Sequence, residues 1–271
     1  MTMKSWLAGL AAVGVALAVP AAASASAQLT HQGGGKKVTS RTWAGYVALA
    51  DKGTKFRYVA AQMTIAWPTC PGFGPGDSAL FYQSAGLGGY NGGTAMQIGL
   101  REICAPALGY GGYTEFDAFY RDASGQHDFL SCLPALNPCP RGPNPGDKVQ
   151  LSVYYNGTSY RLLYVDVTAR VHRKFYVRCS TCRNNSAEVI NQGDYQAPGP
   201  PVHAMTVDFF GIRVTSADGT HGTIAAQPRH WTSTKIIMVD SASRDLAVPS
   251  ALLRQGRAFH LDVSAPKGCG C

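Results

Sequence analysis

Val149-Gln150-Leu151-Ser152-Val153, then Asn156-Gly157, then Tyr160-Arg161-Leu162-Leu163-Tyr164 is the stretch on which the fold turns. In both arms apolar residues recur at every second position, the period of a pleated strand with one face turned to a core. Asn-Gly between them tolerates the positive φ angles of a two-residue type I′ turn. The segment therefore predicts an antiparallel hairpin, and alternation resumes in Val165 to Thr168.

Outward from the hairpin, the apolar segments are short, rich in β-branched and aromatic residues, and bounded by Gly, Pro, Asn or Asp. Strands are expected at Thr42 to Ala50, Phe56 to Trp67, Ala79 to Tyr82, Thr94 to Leu100, Tyr113 to Tyr120, Ala204 to Thr215, Lys235 to Val239 and Ala258 to Val263. Only Ser250 to Arg254 reads as a turn or two of helix. Many short strands at close spacing predict an all-β protein of two packed antiparallel sheets, a β-sandwich of jelly-roll or concanavalin A-like type. Pro68 to Asp77 and Leu133 to Asp147 carry much of the proline and read as decorated loops within one domain. No internal repeat is present.

The N-terminal segment reads as an export signal. Lys4 supplies a positive start, Trp6 to Pro20 is apolar but short for a membrane span, and Ala25-Ser26-Ala27 is a small-x-small cleavage site. The expected organisation is a signal peptide over 1–27, a flexible Gly- and Lys-rich leader over 28–40 and a single sandwich domain over 41–271. Localisation is expected to be extracellular, without a membrane anchor. Eight cysteines lie beyond the signal, an even number suited to disulfides in an oxidising compartment. Cys179-x-x-Cys182 has a spacing that zinc sites also use, but no histidine stands at a matching offset, so no metal or cofactor is expected.

The chain has 24 basic and 16 acidic residues, a formal charge of +8. Such a surface attracts anionic polymers without specifying one. The basic residues are dispersed and form no nucleic-acid-binding motif, so no specific nucleic acid is expected as a partner. A monomer acting on or binding a peptide or protein is the expectation, with an anionic polymer as a further partner.

Signatures of familiar hydrolases are missing. There is no Gly-x-Ser-x-Gly, no His-Glu-x-x-His and no phosphate-cradling loop, and the seven histidines are scattered. The order of several blocks nevertheless resembles the glutamic peptidases of the G1, or eqolisin, family. Thr42-Trp43-Ala44-Gly45-Tyr46-Val47 is similar to the family's opening Asn-Trp-Ala-Gly strand. Ala85-Gly86-Leu87-Gly88-Gly89 and Met96-Gln97-Ile98-Gly99-Leu100 resemble Trp-Val-Gly-Ile-Asp-Gly and Leu-Gln-Thr-Gly-Val. Tyr113 to Tyr120 looks like the family's aromatic strand, with Phe116 and Phe119 at tryptophan positions. Gly146-Asp147, the block Ser186 to Gln192 and Phe209-Phe210-Gly211 follow in the same order as their family counterparts.

The resemblance implies a secreted β-sandwich acting on extended peptides in a concave sheet groove. In the family a glutamate serves as general base on a water, while a glutamine amide holds that water and polarises the scissile carbonyl. Gln97 matches the glutamine. The glutamate falls on Gln192, whose amide accepts no proton at accessible pH. Glu188 shares its face but lies about 13 Å along the strand at ~3.3 Å per residue. Glu115 or Asp117 is the other candidate acid, approaching Gln97 from the neighbouring strand. Gln97, Gln192 and Glu188 are thus the candidate catalytic residues, with Trp43, Tyr113, Glu115, Phe116 and Asp117 lining the groove. The alternative is a catalytically silent sandwich that binds a peptide or glycan polymer in the same place.

Overall fold

A computed structural model describes residues 30–31, 37–69, 79–105, 113–132, 139, 142–195 and 201–266. Among these, alternation of buried and exposed positions produces strands throughout. In chain order they are β1 (Thr30–His31), β2 (Lys37–Ser40), β3 (Trp43–Ala50), β4 (Phe56–Thr64), β5 (Ala79–Leu87) and β6 (Met96–Ala105). Then come β7 (Tyr113–Asp122), β8 (Gly125–Cys132), β9 (Lys148–Tyr155), β10 (Tyr160–Asp166), β11 (Val171–Val177) and β12 (Ser186–Tyr195). The last five are β13 (Pro201–Ser216), β14 (His221–Gly222), β15 (Trp231–Val239), β16 (Asp245–Pro249) and β17 (Phe259–Pro266).

These strands pair into two sheets. The front sheet runs β2-β15-β3-β12-β5-β6-β7-β8, antiparallel except for the β2–β15 pair. The back sheet runs β11-β10-β9-β4-β13-β17-β16. At one corner β16 also pairs with β15, so the two sheets join. Residues from both inner faces, such as Val59, Leu151, Val153 and Phe209 against Ala85, Met96, Ile98 and Val189, fill one apolar core. This is the expected antiparallel sandwich, and burial of that core supplies its main driving force.

Several local expectations are corrected. The hairpin forms with Tyr155 opposite Tyr160, but Asn156 to Ser159 make a four-residue loop rather than a two-residue turn. Asn156 Oδ1 accepts bonds from the Thr158 and Ser159 amides at 2.9 and 2.8 Å, so the asparagine side chain closes the loop as an Asx turn would. The stretch expected to be a flexible leader contributes β1 and β2, and Val38 in β2 is buried. The turn or two of helix expected over Ser250 to Arg254 does not form, and a single tight turn with positive φ follows it at Arg254–Gly256. Disulfides join Cys132 to Cys139 and Cys179 to Cys182, and Cys104 is also disulfide-bonded. The signal segment and most of the two decorated loops lie outside the described residues.

Candidate functional site

The outer face of the front sheet carries the candidate residues in three cross-strand ranks. Alternation places Glu188, Ile190 and Gln192 of β12 on this face, while Ala187 and Val189 point into the core. The first rank reads Val47, Glu188, Gly86, Gln97, Arg121 and Gln126 across β3, β12, β5, β6, β7 and β8. The second reads Gly45, Ile190, Ser84, Gly99, Phe119 and Asp128 over the same strands, and the third Trp43, Gln192, Tyr82, Arg101, Asp117 and Ser131. Ser84 and Gly99 in the middle rank are small, so the sheet is low between Gln97 on one side and Tyr82 with Arg101 on the other.

Arg121 spans that low ground. Its Nη1 donates to Gln192 Oε1 at 2.9 Å and lies 3.5 Å from Gln97 Oε1, and its Nη2 donates to Gln126 Oε1 at 3.1 Å. The guanidinium sits 5.5 Å from the Tyr82 ring centroid and 5.9 Å from that of Phe119. Desolvation lowers the Arg121 pKa, yet no carboxylate pairs with it among the described residues. Because a guanidinium only donates, it turns both amide oxygens toward itself and their NH₂ groups away. Gln97 Nε2 is consequently buried without a partner among the described residues.

Glu188 is fully buried in the same rank as Gln97. Its Oε1 accepts from the Gly89 amide at 2.8 Å, the Tyr90 amide at 3.2 Å and Ser186 Oγ at 2.5 Å, which ties the turn after β5 down onto β12. Its other oxygen, Oε2, has no partner among the described residues. Burial raises its pKa, opposed by those three donors. Glu188 stands two ranks from Gln192 along β12, but no register shift is needed to bring it near Gln97. A Cβ at Gly86 would lie 2.7 Å from Gln97 Cγ and 3.1 Å from Glu188 Oε2, so the two side chains converge over that glycine.

The other expected residues divide. Trp43 is on this face next to Gln192, nearly covered, with Tyr90, Ile190 and Ile236 around it. Asp117 is buried and ion-paired with Arg101, which also reaches Asp128 at 3.1 Å. Glu115 is half-buried opposite Ile103, its pKa raised by burial and then by the Asp117 charge. Neither acid stands opposite Gln97: that place belongs to Arg121, which the sequence reading passed over. Phe116 is corrected outright, for it points into the core between the sheets rather than into the groove. The side chain of Tyr113 lies outside the described residues. Among the described residues no cluster of three or more His, Cys, Asp or Glu could hold a metal.

Solved structures share this architecture. Scytalido-glutamic peptidase bound to a transition state analog inhibitor superposes with a TM-score of 0.58 at 19% identity, covering 82% of this chain and 98% of that one. The same peptidase with a peptide-based transition state analog gives 0.57 at 18% identity, with the same coverage. SCP-B, a member of the eqolisin family in complex with the tripeptide Ala-Ile-His, gives 0.56 at 16% identity, again covering 82% and 98%. No family model matches the sequence, and no curated protein does. The fold resemblance read from the block order therefore stands, at a sequence distance that leaves the chemistry to be argued from the site.

Proposed function

We propose that this is a secreted sandwich of glutamic-peptidase fold that binds an extended peptide across Gln97, Arg121 and Gln192 without cleaving it. The observation that carries this reading is the Arg121 guanidinium bonded to both glutamines. A general base must accept a proton, and this cluster presents amides and a cation. Its chemistry is that of a receptor for oxygen: the half-buried Arg121 cation, with the Gln192 amide beside it, favours a peptide carbonyl or carboxylate. The solved structures of this fold hold a peptide analog and a tripeptide, which supports an extended peptide as the ligand class.

A second reading rests on the convergence of Gln97 and Glu188 over Gly86. There Glu188 would take the proton from a water and Gln97 Nε2 would polarise the carbonyl, two ranks away from the Gln192 position that the block order suggested. Burial of Glu188 under Gly89 and Tyr90 stands against it, since a substrate would first have to lift that turn.

The test uses fluorescein-labelled, unfolded casein with the exported chain from pH 2 to 8, measuring polarisation and fragment release together. Saturable binding without fragments, weakened about tenfold by Arg121→Ala, supports the first reading. Fragment release by the wild type that disappears in Glu188→Gln replaces it with the second.

A further inference from the structure

We infer that the back sheet carries a separate binding groove for a linear anionic polysaccharide. On the face turned away from the core, one cross-strand rank reads Arg161, Tyr154, Tyr58, Thr215 and His221 across β10, β9, β4, β13 and β14. Five strands at ~4.8 Å spacing make a row of roughly 19 Å, the length of several sugar rings. A depression along this rank is lined by Arg57, Arg161 and Arg213. It continues past Gly211 and Arg213 to Arg257 and Arg254 through two adjoining depressions that share those linings.

The charge of this groove is uncancelled. No carboxylate lines any of the three depressions. None of the five arginines has an ion-pair partner among the described residues, whereas Arg101 and Arg244 elsewhere are paired. Low-dielectric walls lined by one sign of charge concentrate counter-ions, so the groove is where the excess positive charge of the chain acts on a ligand. All five cations are arginine, whose planar fork matches sulfate and carboxylate oxygens with two parallel bonds. The polar side chains between them, Gln62 and Thr223, supply neutral partners for hydroxyls.

The ring chemistry favours a glycan over a single-stranded nucleic acid. Nucleic-acid grooves use exposed aromatic faces on which bases stack. Here the Arg161 guanidinium already lies 5.2 Å from the Tyr154 ring centroid, so that face is occupied by a cation. Disulfides at Cys132–Cys139 and Cys179–Cys182 suit an extracellular setting, where such polysaccharides are met.

Heparin and polygalacturonate, carrying sulfate and carboxylate respectively, are titrated against the exported chain by calorimetry, beside an oligothymidylate of matched charge. Binding of either polysaccharide, loosened about tenfold or more by Arg161→Glu/Arg213→Glu/Arg257→Glu, is the expected result. A control of equal charge change, Arg41→Glu/Lys52→Glu/Arg170→Glu, should lose far less, and thermal melts check that both variants fold. Equal loss in the two triple variants would reduce the effect to net charge and overturn the site. Tighter binding of the oligothymidylate with the same sensitivity would overturn the ligand class, and no binding of any probe would overturn the inference itself. Arg121→Ala should leave these titrations unchanged, which separates this groove from the peptide site.

Discussion

Gln97 and Glu188 meet across Gly86, three strands in one register with no side chain between them. A methyl there would press on Gln97 Cγ and Glu188 Oε2, both flanked by packed strands. Gly86→Ala is therefore expected to destabilise the protein by about 1–3 kcal/mol, the range for overpacking a well-filled site. Urea unfolding of the variant checks this. A neutral result would mean that the two side chains do not converge.

Glu188 is expected to matter first as an anchor. Replacing it by alanine leaves the buried Gly89 amide without its acceptor and the Tyr90 amide with only its 3.3 Å bond to Ser186 Oγ, at a cost of roughly 1–3 kcal/mol for the orphaned donor. Glu188→Gln keeps one acceptor oxygen and should lose about half as much. Equilibrium unfolding with near-ultraviolet circular dichroism, which reports on Trp43 and Tyr90 in the overlying cluster, reads both effects.

Restoring a carboxylate at position 192 should not by itself restore chemistry. In Gln192→Glu the new side chain would meet the Arg121 donor that now lies 2.9 Å from Gln192 Oε1. An adjacent guanidinium holds a carboxylate in its charged form and lowers its basicity. Casein cleavage between pH 2 and 6 is expected to remain absent in Gln192→Glu and to appear only when Arg121→Gln is added. Cleavage by the single variant would show that Arg121 does not hold the site silent.

Much of the sandwich was legible because a strand's burial pattern is local: Val149 to Tyr155 and Tyr160 to Asp166 announce their inner faces residue by residue. β8 and β11 escaped because their alternation is weak, with Gly125–Cys132 mostly half-exposed and His172 to Lys174 all polar and exposed. The site was legible only in part. Block order located Gln97, Glu188 and Gln192, but which residues share a rank depends on strand pairing, which sequence spacing does not encode. Arg121 is the consequence. Nothing in Tyr120-Arg121-Asp122 marks it, and only the pairing of β6 with β7 sets it opposite Gln97. Phe116 misled for the opposite reason, since an aromatic residue serves a core or a groove equally well and parity alone decides.

Glu102 supplies a test of pH dependence free of the functional site. It points inward from β6 between Phe81 and Phe116, fully buried, and neither carboxyl oxygen has a partner among the described residues. Desolvation raises its pKa well above the usual carboxylate value. The folded state then keeps a proton that the unfolded chain has released, so stability falls as pH rises from the unfolded pKa through the folded one. Glu102→Leu removes the buried acid and should stabilise the protein above that window by on the order of 2 kcal/mol, or about 5 °C in melting temperature. Below the unfolded pKa, where the carboxyl is neutral in both states, most of the gain should vanish. Glu115 and Glu188 also have raised values and bend the wild-type curve in the same direction. The quantity that isolates Glu102 is therefore the difference between variant and wild type across pH 3 to 8, and a difference that stays constant would show that its proton is not coupled to folding.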